Sequence, residues 1–225
     1  AGDQSGISVG SAGDVNGDGC ADILIGADQA DPSGRNAAGE TYLVFGRTNG
    51  LPATIVLTNA WLDGTNGVVL AGAAASDNSG LSVDSAGDIN GDGYGDLLVG
   101  AWLADPSGRS AAGETYLVYG RSNGFPSMAT MNSAWLNGTN GVILAGAVQN
   151  DFSGFAVNSA GDVNKDGYAD LMVGAYKADP SGRAQAGETY LVFGRPDTTM
   201  ITVNPSSGSC TGGYPVAICG TNLGN

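Results

Sequence analysis

The chain contains no histidine. His-based triads, His-ligated zinc and imidazole acid–base chemistry are therefore excluded. Positive charge is scarce as well: 8 Lys and Arg stand against 22 Asp and Glu, for a formal net charge of −14. That balance argues against a nucleic-acid-binding surface or an anionic membrane surface as partner. No stretch is long and apolar enough to cross a membrane. Cysteine is limited to Cys20, Cys210 and Cys219. The last two lie close together in "SCTGGYPVAICG" and form a candidate hairpin disulfide in an oxidising compartment, while Cys20 reads as a free thiol. No run of helical periodicity is present.

What the chain does have is repetition. "GDVNGDGCAD" opens at Gly13, "GDINGDGYGD" at Gly87 and "GDVNKDGYAD" at Gly161, so that Asp14, Asp88 and Asp162 stand 74 residues apart. "ADPSGR" recurs from Ala30, Ala104 and Ala178, and "GETYLV" from Gly39, Gly113 and Gly187. Self-similarity of this length sets the architecture before any other feature is weighed. Short apolar runs such as "ILIG", "LLVG" and "YLVF" alternate with Gly, Asn, Asp and Ser, among them 39 glycines. Frequent turn signals between short strands predict an all-β fold. "AGDQSG" at residue 1 matches "ASDNSG" at Ala75, inside a repeat unit, so the expectation is that the chain starts downstream of an unseen segment.

The triplicated phrase has the spacing of a cation loop. Its copies place Asp14, Asn16, Asp18 and Asp22, then Asp88, Asn90, Asp92 and Asp96, then Asp162, Asn164, Asp166 and Asp170, at the first, third, fifth and ninth places. Alternate oxygen side chains converge on one point if the backbone curls, and the glycine at the sixth place permits the bend. The seventh residue, Cys20, Tyr94 or Tyr168, can add a backbone carbonyl. Hard oxygen donors on a flexible loop suit Ca²⁺ better than Mg²⁺. Without metal, two carboxylates ~5 Å apart repel by about 3 kcal/mol at an effective dielectric of ~20. Three divalent cations would bring the formal charge from −14 to −8. An EF-hand needs an acid at the twelfth place, where Ile25, Val99 and Val173 stand, and needs flanking helices. Asn-Gly and Asp-Gly turns alone do not require three acids per copy.

The unit "SGFAVNSAGDVNKDGYADLMVGA" resembles an FG-GAP repeat, the blade of the integrin α-chain β-propeller, with "SGF" near the FG position and "VGA" near the GAP position. The resemblance implies four-stranded blades, with the acidic loop joining the first two strands of each. It predicts strands at "GFAVNSA", "ADLMVGA" and "ETYLVFG" in the third copy, and outer strands at "GVVLAG" and "GVILAG" after the first two copies only. Repeats are expected at residues 1–76, 77–150 and 151–198, the last lacking its outer strand. Three blades fall short of the ~4–8 that close a ring. The tail, 199–225, resembles the opening of an IPT/TIG domain, an immunoglobulin-like sandwich, through Pro205, Gly208, Gly212, Gly213, Gly220 and Asn222. Its "ITVNP" run is equally able to patch the third blade.

Other recurrent features read as structural. Arg35 with Glu40, Arg109 with Glu114 and Arg183 with Glu188 suggest an ion pair across a Pro-Ser-Gly turn. Arg47, Arg121 and Arg195 read as partners of nearby acids. Trp61 and Trp135 are assigned to packing between blades, and Trp102 to a tolerant, exposed position. Asn137 in "NGT" is the glycosylation candidate. Acids outside the loops recur with the repeat, whereas an active site is normally unique, so no enzyme is expected. The leading expectation is a Ca²⁺-braced extracellular or cell-surface adhesion or structural protein with protein or glycan partners. The alternatives are the protomer of an extracellular filament, joined to copies of itself through open blade edges, and the non-catalytic part of a secreted enzyme.

Overall fold

In the computed structural model, which describes residues 2–195 and 217–219, each repeat folds into its own β-sheet, and the three sheets pack face to face in chain order. Sheet one contains β1 (Ser8–Gly13), β2 (Asp22–Ala27), β3 (Glu40–Val44) and β4 (Gly67–Ala71). Sheet two contains β5 (Ser79–Gly87), β6 (Asp96–Ala101), β7 (Glu114–Val118) and β9 (Gly141–Ala145). Sheet three contains β10 (Ser153–Gly161), β11 (Asp170–Ala175), β12 (Glu188–Val192) and β13 (Ala217–Cys219). Neighbours within these four-stranded sets run antiparallel. The fold is all-β, as the turn-punctuated apolar runs predict. Three-residue 3-10 turns at Pro32–Gly34, Pro106–Gly108 and Pro180–Gly182 are the helical content of the described residues.

Two strands were not foreseen. β8 (Met128–Thr130), in the connection between the third and fourth strands of sheet two, crosses back and pairs parallel with β4, extending sheet one to five strands. β13 supplies the outer strand that the third repeat was expected to lack. Its register continues the repeat: Glu40 faces Ala71, Glu114 faces Ala145 and Glu188 faces Cys219, each partner 74 residues after the last. The open N–H and C=O groups of the β12 edge are met by this short run. The remainder of the IPT/TIG resemblance, and Cys210 of the candidate disulfide, lie outside the described residues.

The middle strands are buried on both faces, which is why they read as continuous apolar runs. In β6, Leu97 points toward sheet one and Leu98 toward sheet three, and both are fully buried. Leu24, Leu43 and Val83 join Leu97 and Tyr116 in the first junction; Leu117, Val157 and Leu171 join Leu98 in the second. Fully burying one such side chain contributes about 1.5–3 kcal/mol. Near the inner strands the sheets approach at backbone distance. A Cβ at Gly26 or Gly100 would stand 2.0 Å from the carbonyl oxygen of Gly80 or Gly154, so only glycine fits.

Candidate metal centre

The acidic loops close the β1–β2, β5–β6 and β10–β11 hairpins, as the resemblance implied. In the first, Asp14 Oδ1 accepts from the backbone N–H groups of Gly17 (2.8 Å) and Asp18 (3.1 Å), and Oδ2 from Gly19 (2.8 Å). Asn16 Oδ1 accepts from the Asp18 N–H (2.9 Å), and Asp18 Oδ1 accepts from the Cys20 N–H (2.8 Å). The second loop repeats every one of these contacts with Asp88, Asn90 and Asp92. In the third, Asp162, Asn164 and Asp166 again collect the N–H groups of Asp166, Gly167 and Tyr168. The nested bonds curl the backbone and draw the alternate side chains inward.

The ninth residue begins the second strand and is tied down on both oxygens. Asp22 Oδ2 accepts from the Val15 N–H (2.9 Å), across the loop, and Oδ1 from the Gly46 N–H (2.7 Å), just past β3. Asp96 binds Ile89 and Gly120 in the same way (2.9 Å each), and Asp170 binds Val163 (2.8 Å) and Gly194 (2.9 Å). These carboxylates are buried, at 1%, 0% and 0% exposure. Burial, opposed by the two N–H bonds, pushes the Asp22 carboxyl up to about 6, and Asp18 and Asp14 push it further in the same direction. For the same reasons Asp96 is raised to about 7, with Asp92 and Asp88 as the neighbouring charges.

The acids of one loop thus lie close enough to repel. Among the described residues, however, no three His, Cys, Asp or Glu side chains are grouped as a ready metal-binding cluster. The carboxylates are turned to the loop's own N–H groups. Asp14 Oδ1 and Asp88 Oδ1 accept two bonds each, but Asp14 Oδ2, Asp18 Oδ1 and both Asp22 oxygens accept one, so a second lone pair on each is left for a cation. The donor set fits a hard cation on three counts: oxygen only, mutual repulsion calling for a counter-charge, and a backbone already curled. Asp14, Asn16, Asp18 and Asp22 in the first loop, and their counterparts 74 and 148 residues on in the other two, are the groups that would hold it, with the carbonyl of the seventh residue.

Sequence reasoning did not find Gly46, Gly120 and Gly194, whose N–H groups anchor the ninth aspartates. A glycine after the third strand carries no signature of its own; the 74-residue recurrence is the signal that would have found it. A Cβ at these glycines would meet backbone at 2.2–2.3 Å. Burial raises the Glu40 and Glu114 carboxyls, and the nearby charges of Arg35 and Arg109 oppose that rise, as the proposed pairs require; the side chains also make other bonds. Arg109 donates through Nε and Nη2 to the Gly146 carbonyl (3.2 and 2.9 Å), while Glu40 accepts from Tyr42 Oη (2.9 Å) and Glu188 from Tyr190 Oη (2.6 Å). Arg47 and Arg121 bond Asn66 and Asn140, Arg47 also acts as a favourable charge on Asp63, and the Arg121 guanidinium lies over Phe125 and Trp135. Trp61 and Trp135 pack against apolar clusters. Trp102 is not the free surface side chain expected. Its ring meets Phe152 and Phe155 edge-on, at 5.2 and 5.6 Å between centroids. Asn137 is exposed, in a turn where its Oδ1 accepts from the Thr139 N–H (3.0 Å).

Comparison with known proteins supports this layout. Integrin alpha-PS2 of Drosophila melanogaster is 32% identical over 185 residues, which is 79% of this chain and 12% of that protein. Integrin alpha-8 of Gallus gallus is 32% identical over 203 residues, covering 88% of this chain and 17% of that protein. Phosphatidylinositol-glycan-specific phospholipase D of Bos taurus is 36% identical over 110 residues, 49% of this chain and 12% of its own length. The chain spans less than a fifth of each of these relatives. The family described as FG-GAP repeat matches residues 5–44, 79–118 and 155–192, one span for each sheet and together more than half of the sequence. The chain therefore belongs to the FG-GAP repeat family, as three successive blades of the integrin α type.

Proposed function

We propose that this chain is a non-catalytic, calcium-braced adhesion or structural module that acts outside the cell or at its surface. The observation that carries the reading is the threefold identity of the loop. Three hairpins present the same oxygen donors at the same places, each locked by a buried aspartate to the end of its own third strand. A cation at each loop would neutralise the converging carboxylates and hold the hairpin against its blade; it performs no reaction. Its chemistry is charge neutralisation and oxygen coordination. The integrin relatives supply the adhesive context, and protein or glycan ligands at the cell surface are the partners that follow from it. Asn137 is accessible for a glycan on the same extracellular reading.

The test is calorimetric titration of chelator-stripped protein with Ca²⁺, alongside thermal unfolding. Three equivalents are expected to bind, and the melting temperature to rise on addition and fall again on chelation. Unchanged melting, with no heat of binding at millimolar Ca²⁺, would remove the cation from the reading. A second role, as the non-catalytic part of a secreted enzyme, is favoured by the likeness to the phospholipase over 49% of this chain. A catalytic domain in the same polypeptide decides between the two.

A further inference from the structure

The three acidic loops share their oxygen donors but not their fourth residue. Gly17 and Gly91 hold that place in the first two, and Lys165 holds it in the third. Affinity in calcium loops is tuned by the charge count of the ligands and by the rigidity of the site. The lysine changes both.

Charge falls in the third loop. Each loop carries three aspartates, a formal −3, and Lys165 beside Asp162, Asp166 and Asp170 reduces that to −2. A unit positive charge ~8 Å from a bound divalent ion, at an effective dielectric of ~60, weakens binding roughly tenfold before salt screening. Cys20 stands where Tyr94 and Tyr168 do, but that place would contribute only a backbone carbonyl, so it does not set the first loop apart from the second.

Rigidity falls as well. The Gly17 N–H donates to Asp14 Oδ1 at 2.8 Å, and the Gly91 N–H to Asp88 Oδ1 at 2.7 Å. Each of these oxygens takes a second bond, from the Asp18 or Asp92 N–H. In the third loop Asp162 Oδ1 accepts from the Asp166 N–H alone (3.1 Å), and among the described residues the Lys165 N–H makes no matching bond. The lone pair so freed adds little in return, because Asp162 Oδ2, with one bond from Gly167, already has one to give. The backbone is left-handed at all three places, with φ +75° at Gly17 and Gly91 and 62° at Lys165. Glycine adopts that conformation freely, whereas a residue with a Cβ resists it. The third curl is thus held by fewer bonds and against steric resistance, so a cation must supply more of its order.

We propose that the loops fall into two classes. The first two hold their cations tightly, as fixed braces. The third binds roughly tenfold more weakly and releases its cation first, so that calcium concentration governs the order of the β10–β11 hairpin alone. The inference rests on the cation reading above and adds a regulated site to it, with Lys165 as the residue that sets its threshold.

The test strips the whole chain with chelator and follows hydrogen exchange at stepped Ca²⁺ concentrations, reading peptides that cover 14–22, 88–96 and 162–170 separately. Protection of 162–170 should half-develop at a Ca²⁺ concentration roughly tenfold above that for the other two. Lys165→Gly should bring it into line with them. Lys165→Gln, which removes the charge but keeps the Cβ, should recover only part of the shift. Protection of β11 in excess Ca²⁺ shows that each variant is folded. A common midpoint for all three loops would overturn the two classes and leave the cation reading standing. A third loop still roughly tenfold weaker in Lys165→Gly would overturn the role of the lysine. No response to Ca²⁺ at any loop would overturn this inference and the cation reading together.

Discussion

The ring of Tyr94 lies against Gly17 so closely that a Cβ on that glycine would stand 2.4 Å from Tyr94 Cε1. Tyr168 and Gly91 repeat the relationship at 2.3 Å. The acidic loop of one blade is therefore held by a side chain of the next, and the loop at the far end keeps the same bent backbone with a lysine in place of the glycine.

Gly91→Ala should consequently cost more than backbone strain alone. The position has φ +75°, which costs an L-residue about 1–2 kcal/mol, and the Tyr168 ring must move as well. A loss of about 2–3 kcal/mol in denaturant unfolding is expected. Lys165 already sits at φ 62°. Lys165→Gly should therefore stabilise the monomer by about 1 kcal/mol. A Gly91→Ala loss no larger than the Lys165→Gly gain would show that the ring contact is unimportant.

Asp96 and Asp92 should separate folding from cation binding. Asp96→Ala strips the Ile89 and Gly120 N–H groups of their shared acceptor in a buried site, at about 1–3 kcal/mol for each orphaned group. That loss should appear even in chelator. Asp92 is exposed. Asp92→Ala should leave the chelated protein within about 1 kcal/mol of wild type and remove one equivalent from the Ca²⁺ titration. A titration that stays at three equivalents would exclude Asp92 as a ligand.

Acidification should stabilise the cation-free protein. Burial raises Asp77 and Asp151 to about 6 from an ordinary 3.8, as it raises Asp22 to about 6 and Asp96 to about 7. A carboxyl whose folded pKa exceeds its unfolded value contributes stability that is complete below the unfolded value and lost as pH rises through the folded one. In chelator, the melting temperature should therefore climb as pH falls from 7 toward 4. In saturating Ca²⁺ the gain should be smaller, because protons then compete with the cation at Asp22 and Asp96. Melting curves at pH 5 and 7, with and without Ca²⁺, give the sign directly.

Trp102→Ala should loosen the second junction. The indole is edge-on to Phe152 and Phe155, and those two rings continue to Tyr176 at 5.6 and 4.3 Å. The first junction has Asp28 and Asn78 at the places of Trp102 and Phe152, joined by a long 3.5 Å bond. A loss of about 2 kcal/mol is expected, below the ~3–5 kcal/mol of a fully buried large aromatic, because Trp102 is only half-buried. Unaltered unfolding would mark the cluster as surface decoration.

Much of this architecture could be read in advance because it is local and written three times. Periodicity placed β2, β6 and β11 and their acidic hairpins, since a run such as "DLLVGA" between turn residues has few alternatives. β8 escaped notice because three residues, Met128–Thr130, have no pattern of their own, and their pairing is decided by the β4 edge they meet. β13 was hidden by a likeness to another domain; what identifies it is its match, 74 residues on, to Ala145 and Ala71. Trp102 was misjudged by comparison with Asp28, because a repeat position does not reveal which side chains a neighbouring sheet brings to it.

From the order of residues alone came the three-blade organisation, the oxygen-rich turns and the charge that calls for a counter-ion, because spacing within a hairpin is set by covalent geometry. Packing of sheet on sheet decided the rest: that Asp22, Asp96 and Asp170 are buried and doubly bonded, that glycine is required at Gly26 and Gly100, and that Val9 and Val163 are left in water while their twins are covered. Those outcomes depend on which surfaces meet across 74 residues of chain, and contact at that range exists only once the blades are assembled.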